Sequence, residues 1–245
     1  MTHTTLFCIP HAGGGASAFR RWSEALESHI QLKVLQSRGR ESRFNEPPLA
    51  DLDAVVGDLY ALMEPHLGPR FALFGHSMGA LLAFELAQMA RARTGHAPSH
   101  LFASSCRAPS LPQTTAPIAR LPDADFVTEL MRRYGGIPAS ILADQDYMAA
   151  VLPAIRADFT ILEDYRRRQW PLLDCPISVF AGRADGVIPR STLLGWRNET
   201  TGAFALEMLE GDHFYLQSQR NVLASLVSSA LEQPAKVFHA ECIRL

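Results

Sequence analysis

Six short apolar runs recur along the chain, at residues 6–9, 32–36, 71–74, 101–104, 177–181 and 205–209. They are rich in Val, Ile, Leu and Phe, and most are nearly continuous rather than alternating with polar positions. A continuous apolar run of strand length suits a strand covered on both faces, as in a parallel sheet. Between the runs, apolar residues return at helical spacing over 18–27, 51–64, 78–93, 192–198 and 219–232. This alternation predicts an α/β fold built on an open, mostly parallel, doubly wound sheet. In such folds ligands sit at the carboxyl ends of the strands.

One region breaks the rhythm. Residues 107–170 contain no convincing strand; they open with the proline-punctuated "RAPSLPQTTAPIARLPDADF" and continue with helical patterns over 126–134 and 147–165. An insertion this long between two core strands reads as a helical lid or cap over a site, the alternative being a surface decoration. Residues 1–245 are read as one domain carrying that insertion. The tail "AKVFHAECIRL" takes no assignment.

Composition narrows the function classes. The chain has 245 residues, 47% hydrophobic and 20% charged, an ordinary globular balance with enough length for a large core. Its formal net charge of −2 gives no reason to expect nucleic acid as a partner. The N-terminal apolar run is too short for a signal peptide, and no stretch approaches the ~20 apolar residues of a membrane span. Cys8, Cys106, Cys175 and Cys242 are scattered without ligand spacing, and are expected to be reduced and structural. A cytoplasmic protein, monomeric by default, is the expectation.

Candidate chemistry centres on "FALFGHSMGALLAFELA". Gly75-His76-Ser77-Met78-Gly79 fits G-x-S-x-G, the nucleophile elbow, with a strand before it and a helix after it. Two glycines flanking one hydroxyl imply a turn too tight for side chains, with Ser77 held out at the top of the sheet. Serine needs a base, and the base an orienting acid. In this kind of fold the chain order is Ser, acid, His. Asp185 in "ISVFAGRADGVIP" and His213 in "LEMLEGDHFYL" each follow a predicted strand. Asp212 is the rival acid, but neighbouring side chains on an extended loop diverge, so a solvated or loop-pinning carboxylate is expected there.

An acyl-transfer site also needs donors for the oxyanion. The N–H of Met78 lies at the start of the helix after Ser77, and "HAGGG" at 11–15 follows the first strand, making the N–H of Ala12 the second candidate. The same glycines lack the Lys-Ser or Lys-Thr of a P-loop. His11 and His76 read as packing or loop-bonding residues rather than metal ligands, and no metal site is expected.

Taken together, "LFCIPHAGGGASAFRRW", "GRESRFNEPP", the elbow, "LFASSCRAP", "LPAIRADFTILEDY" and "GDHFYL" resemble the type II thioesterases, the stand-alone α/β-hydrolases of polyketide and nonribosomal peptide synthetase pathways. "GRESRFNEPP" discriminates best, since generic hydrolases share only the elbow. The resemblance implies Ser77, Asp185 and His213 as catalytic triad and the Ala12 and Met78 N–H groups as oxyanion hole. It implies an acyl or peptidyl carrier protein as partner, with phosphopantetheine carried by the substrate and no cofactor of the enzyme's own. "GDHFY" is similar to relatives associated with siderophore assembly. The chain departs from the family where Arg38 replaces a usual Pro. Arg132-Arg133 and Arg166-Arg167-Arg168 are candidate docking sites for an acidic carrier. Still open are acyl transfer or chain release, a small-molecule esterase or lipase, and a non-catalytic scaffold on this fold.

Overall fold

The computed structural model describes residues 3–232. The tail, with Cys242, lies outside the described residues. Six strands form one sheet in the order β2-β1-β3-β4-β5-β6. In chain order they are β1 (Thr4–Ile9), β2 (Ile30–Val34), β3 (Phe71–His76), β4 (Leu101–Ser104), β5 (Ile177–Gly182) and β6 (Phe204–Leu209). Every pairing is parallel. The helices are α1 (Trp22–Ala25), α2 (Leu52–Met63), α3 (Met78–Thr94), α4 (Asp123–Arg133), α5 (Ala139–Leu142), α6 (Gln145–Asp164), α7 (Arg190–Leu194) and α8 (Arg220–Glu232).

The continuous apolar runs have a direct cause. Successive residues of a strand face opposite sides of the sheet, and here both sides are buried. Phe7, Ile9, Leu73, Leu101 and Val179 pack with α2, α3 and α6, whereas Leu6, Cys8, Phe74, Phe102 and Phe180 pack with α1 and α8. Two separate cores therefore sandwich the sheet. Cys8, Cys106 and Cys175 are buried free thiols. No helix among the described residues is long and apolar enough to cross a membrane.

Three expectations need correction. The predicted helix over 18–27 is a 3-10 turn (Ala16–Phe19) followed by the four-residue α1, broken at Arg21 with φ 63°. Gln36 and Glu41 hold the Ala16 and Ser17 N–H groups, and the break lets Phe19 and Trp22 both wedge against Phe74. The strand predicted over 32–36 runs over 30–34 instead: Ile30 already pairs with Thr4, and Gln36 lies past the end of the ladder, where its side chain holds the Ala16 N–H. The helix predicted over 192–198 becomes α7 and a 3-10 turn (Gly195–Glu199), which places Glu199 where it accepts from Ser110 N–H at 2.9 Å. Residues 107–170 do emerge between β4 and β5 without a strand, bearing α4, α6 and the short α5.

Candidate active site

Ser77 joins β3 to α3 with φ 54° and ψ −122°, outside the comfortable range for an L-residue. The bend closes the backbone on itself. A Cβ on Gly75 would sit 2.1 Å from the Gly79 carbonyl oxygen, and one on Gly79 would sit 2.2 Å from that of Ile9. Only glycine fits either position, which is why the two flank the serine. The Ser77 N–H donates to the Ser104 carbonyl at 2.7 Å, clamping the turn to β4.

Three side chains far apart in sequence meet above this turn. His213 Nε2 lies 3.1 Å from Ser77 Oγ, and His213 Nδ1 lies 3.0 Å from Asp185 Oδ2. The other Asp185 oxygen accepts the Val187 and Ile188 N–H groups at 2.9 and 3.2 Å. Burial alone would raise the Asp185 carboxyl. The hydrogen bond and charge of His213, helped by Val187 N–H, outweigh it and hold the group below the usual carboxylate range. Asp212 does not join the line: its Oδ1 accepts the Phe214 N–H at 2.8 Å and pins the loop.

The candidate oxyanion donors come from the two segments next to Ser77, the glycine loop and the start of α3. Ala12 and Ser77 line the same cavity, and Met78 begins α3. Among the described residues neither N–H donates a hydrogen bond, whereas those of Gly13, Gly14, Ala16 and Ser17 are all engaged.

Two histidines next to the triad, His76 and His11, have the packing or loop-bonding roles expected of them. His76 Nδ1 lies 2.8 Å from Ser104 Oγ, itself 2.7 Å from the Tyr215 hydroxyl, a buried chain beneath the site. Burial, with His213 and His11 nearby, pushes the His76 imidazole far down. His11 is lowered to about 4 by burial, His213 and Arg40, and packs edge-on against Phe214. Both are neutral near pH 7, so neither adds a positive charge beside His213. No group of three metal-ligating side chains occurs among the described residues.

The 107–170 insertion roofs the site. Leu130, Tyr134, Ile137, Ile155, Phe159 and Leu162 enclose an apolar cavity of about 110 Å³ against Ser77 and His213. A second cavity of about 470 Å³ shares His11, Gly13, Gly136 and Ile155 with it and runs past Arg40 and Glu41 to the exposed rings of Phe44 and Tyr147. The candidate docking arginines are largely engaged within the chain. Arg167 pairs with the buried Glu199 at 2.8 Å, Arg168 with Asp53 and Glu85, and Arg132 and Arg133 with Glu129. Arg38, the departure at the usual Pro, pairs with Asp58 of α2 at 2.6 Å.

Sequence reasoning missed Arg40 and Asp158, a buried pair beside the glycine loop. The signal was present in "GRE" and "RAD", but nothing local says that two such segments meet.

A doubly wound parallel sheet with an elbow serine, a loop histidine and a loop aspartate in hydrogen-bonded line defines an α/β-hydrolase. The thioesterase domain family matches residues 4–231, and the chain belongs to that family. It is 40% identical over 215 residues to gramicidin S biosynthesis protein GrsT of Aneurinibacillus migulanus, covering 88% of this chain and 84% of that protein. Its fold is that of ClbQ from the colibactin NRPS/PKS pathway, with TM-score 0.89 and 30% identity over 94% of this chain and 98% of ClbQ. YbtT, a type II thioesterase from the yersiniabactin NRPS/PKS biosynthetic pathway, superposes with TM-score 0.84 and 30% identity over 94% of each chain. The type II thioesterase resemblance seen in the motifs therefore holds across nearly the whole chain.

Proposed function

We propose that the protein hydrolyses short acyl thioesters from the phosphopantetheine arm of a carrier protein in polyketide or nonribosomal peptide assembly, clearing blocked or misloaded carriers. The observation that carries this reading is the Ser77–His213–Asp185 line opening directly into a small apolar chamber. His213 Nε2 takes the Ser77 proton as Oγ attacks the thioester carbonyl, and Asp185 steadies the imidazolium through Nδ1–H. The Ala12 and Met78 N–H groups receive the oxyanion. Thiols ionise near ~8.5, so the C–S bond breaks with little acid assistance; the departing pantetheine thiolate takes the proton from the His213 imidazolium and leaves as the thiol, which returns His213 to its neutral form. His213 then activates a water that releases the acyl group from Ser77. These steps draw on side chains and backbone alone; phosphopantetheine arrives with the substrate.

Chamber size supports a short acyl group. An apolar cavity of about 150 Å³ accepts benzene, so about 110 Å³ suits roughly four heavy atoms. The longer second cavity, reaching the surface between Phe44 and Tyr147, suits the slender arm. The test is hydrolysis of a series of acyl groups on a carrier protein, compared with the same acyls on a free small thiol and with matched oxyesters. Expected are faster turnover on the carrier, a fall in rate beyond about four carbons and weak oxyester hydrolysis. Equal rates on carrier thioester and oxyester would defeat the reading.

A further inference from the structure

The glycine loop is held from the far side by the insertion. The Gly14 N–H donates to the His11 carbonyl at 2.9 Å, and Gly13, third in this four-residue turn, has φ +75°. That is the pattern of a type II turn, in which the third position calls for glycine. The peptide that supplies the His11 carbonyl also carries the Ala12 N–H. In a trans peptide the two point in opposite directions, so fixing the carbonyl aims the N–H. The remaining donor of the turn, the Gly13 N–H, reaches Asp158 Oδ2 at 2.7 Å.

Asp158 belongs to α6, in the insertion, and is itself held. Arg40 grips it with two bonds, Nη1–Oδ2 at 2.5 Å and Nη2–Oδ1 at 3.0 Å, and the two side chains are only 8% and 3% exposed. Arg40 also reaches the Arg38 carbonyl at 3.2 Å and the Gly14 carbonyl at 3.4 Å. One carboxylate thus joins three separate pieces of chain: the insertion, the loop after β2 and the turn over Ser77. Ile155, one helical turn before Asp158, packs against Gly13.

We propose that Asp158 is a positioning residue of the oxyanion site: held by Arg40, it fixes the Gly13 N–H and with it the turn that aims the Ala12 N–H at Ser77. This rests on the reading of Ala12 and Met78 as oxyanion donors. It makes the site complete only while α6 is seated, tying substrate enclosure to transition-state stabilisation. The alternative is a buried ion pair that only fastens the insertion, and the two roles separate experimentally.

The informative variant is D158L/R40M. Replacing a buried ion pair by apolar residues of similar shape is commonly neutral or stabilising, so the insertion stays seated, but the Gly13 N–H loses its acceptor. Loss of one oxyanion donor costs about 10²–10³ in turnover, and misaiming one is expected to cost about 10- to 100-fold in kcat with little change in KM. A trifluoromethyl ketone analogue of a short thioester, which forms a tetrahedral adduct with Ser77, loses affinity by the same factor. The matched unreactive thioether keeps its affinity. D158N gives the opposite balance: its amide oxygen still accepts the Gly13 N–H but leaves Arg40 without a counter-ion, so it loses more melting temperature than the double variant and less turnover. A stable double variant with parental kcat and ketone affinity overturns the proposal. So does a D158N protein that is slower than the double variant while folded. If the parent enzyme binds ketone and thioether equally, the oxyanion reading fails and this proposal with it.

Discussion

Lowering the pH from 7 to 5 is expected to destabilise the fold through its buried histidines, and His100 allows the effect to be worked out. It precedes β4, is buried, stacks on Phe102 at 4.2 Å between ring centroids and places Nε2 2.9 Å from Ser178 Oγ. Burial lowers its imidazole from 6.5 to about 4. Between those values the unfolded chain binds a proton that the folded one refuses, so stability rises with pH across the window and falls on acidification. At about 1.4 kcal/mol per pH unit, the descent from 6.5 to pH 5 removes about 2 kcal/mol through His100 alone. His11 and His76 act in the same direction. Asp185 does not confuse the reading, because a carboxyl held below 3.8 titrates beneath the window. The assay is urea unfolding at pH 7 and pH 5, followed by fluorescence of the buried Trp22 and Trp196, for the parent and His100→Gln. Whatever the variant's stability at pH 7, its loss on acidification should be about 2 kcal/mol smaller than the parent's. An unchanged loss would show that His100 is not held neutral by the fold.

Two further outcomes follow from the geometry. Asp185→Asn should lower kcat by about 10⁴, as expected when a triad acid loses its charge and the imidazole its tautomer, while Asp212→Asn, which disturbs only the loop bond to Phe214, should cost less than about tenfold; steady-state kinetics on one thioester ranks them, and the reverse order would move the acid to Asp212. Arg167→Glu should lower the melting temperature with no carrier present, because it leaves the fully buried Glu199 facing a like charge, a change on the order of 3 kcal/mol; an unaltered melt would restore Arg167 as a surface contact.

Much of the fold was legible because its signals are local. The four inner strands announce themselves as apolar runs because both faces of each are buried, the edge strands β2 and β6 do so more weakly because they are only partly covered, and the elbow needs only five residues to declare a turn that excludes side chains. Asp185 and His213 were legible by position, each in the loop after a strand. What stayed hidden depends on meetings between distant segments. The helix expected over 18–27 is broken because Gln36, Glu41 and Phe74 capture its parts, a tertiary demand that outweighs helical spacing. The arginine run at 166–168 looks like a solvated charge cluster in sequence. Its last two members instead face Glu199, Glu85 and Asp53, contributed by other elements. Asp158 is one acidic residue on an amphipathic helix until Arg40 and Gly13 stand beside it.

The sheet order explains why an insertion at this point in the chain can act on the chemistry. Parallel strands bring every carboxyl end to one edge, and β3 lies between β1, which feeds the glycine loop, and β4. His213 must come from β6, three strands from β3 and therefore about 14 Å away at the usual strand spacing. Its loop crosses the end of β5 on the way, with Ala184 N–H donating to the Gly211 carbonyl at 2.9 Å, so Asp185 and His213 travel as one hydrogen-bonded unit toward Ser77. The chain that leaves β4 before β5 rises through the span this unit crosses. An insertion there must lie over Ser77 and His213 on one side and the glycine loop on the other, and Tyr134 against His213 and Asp158 on Gly13 are those two contacts. Moved to the β5–β6 or β2–β3 connection, the same helices could roof at most one of them. Enclosing the acyl group and completing the oxyanion site therefore become a single event, set by where the insertion leaves the sheet.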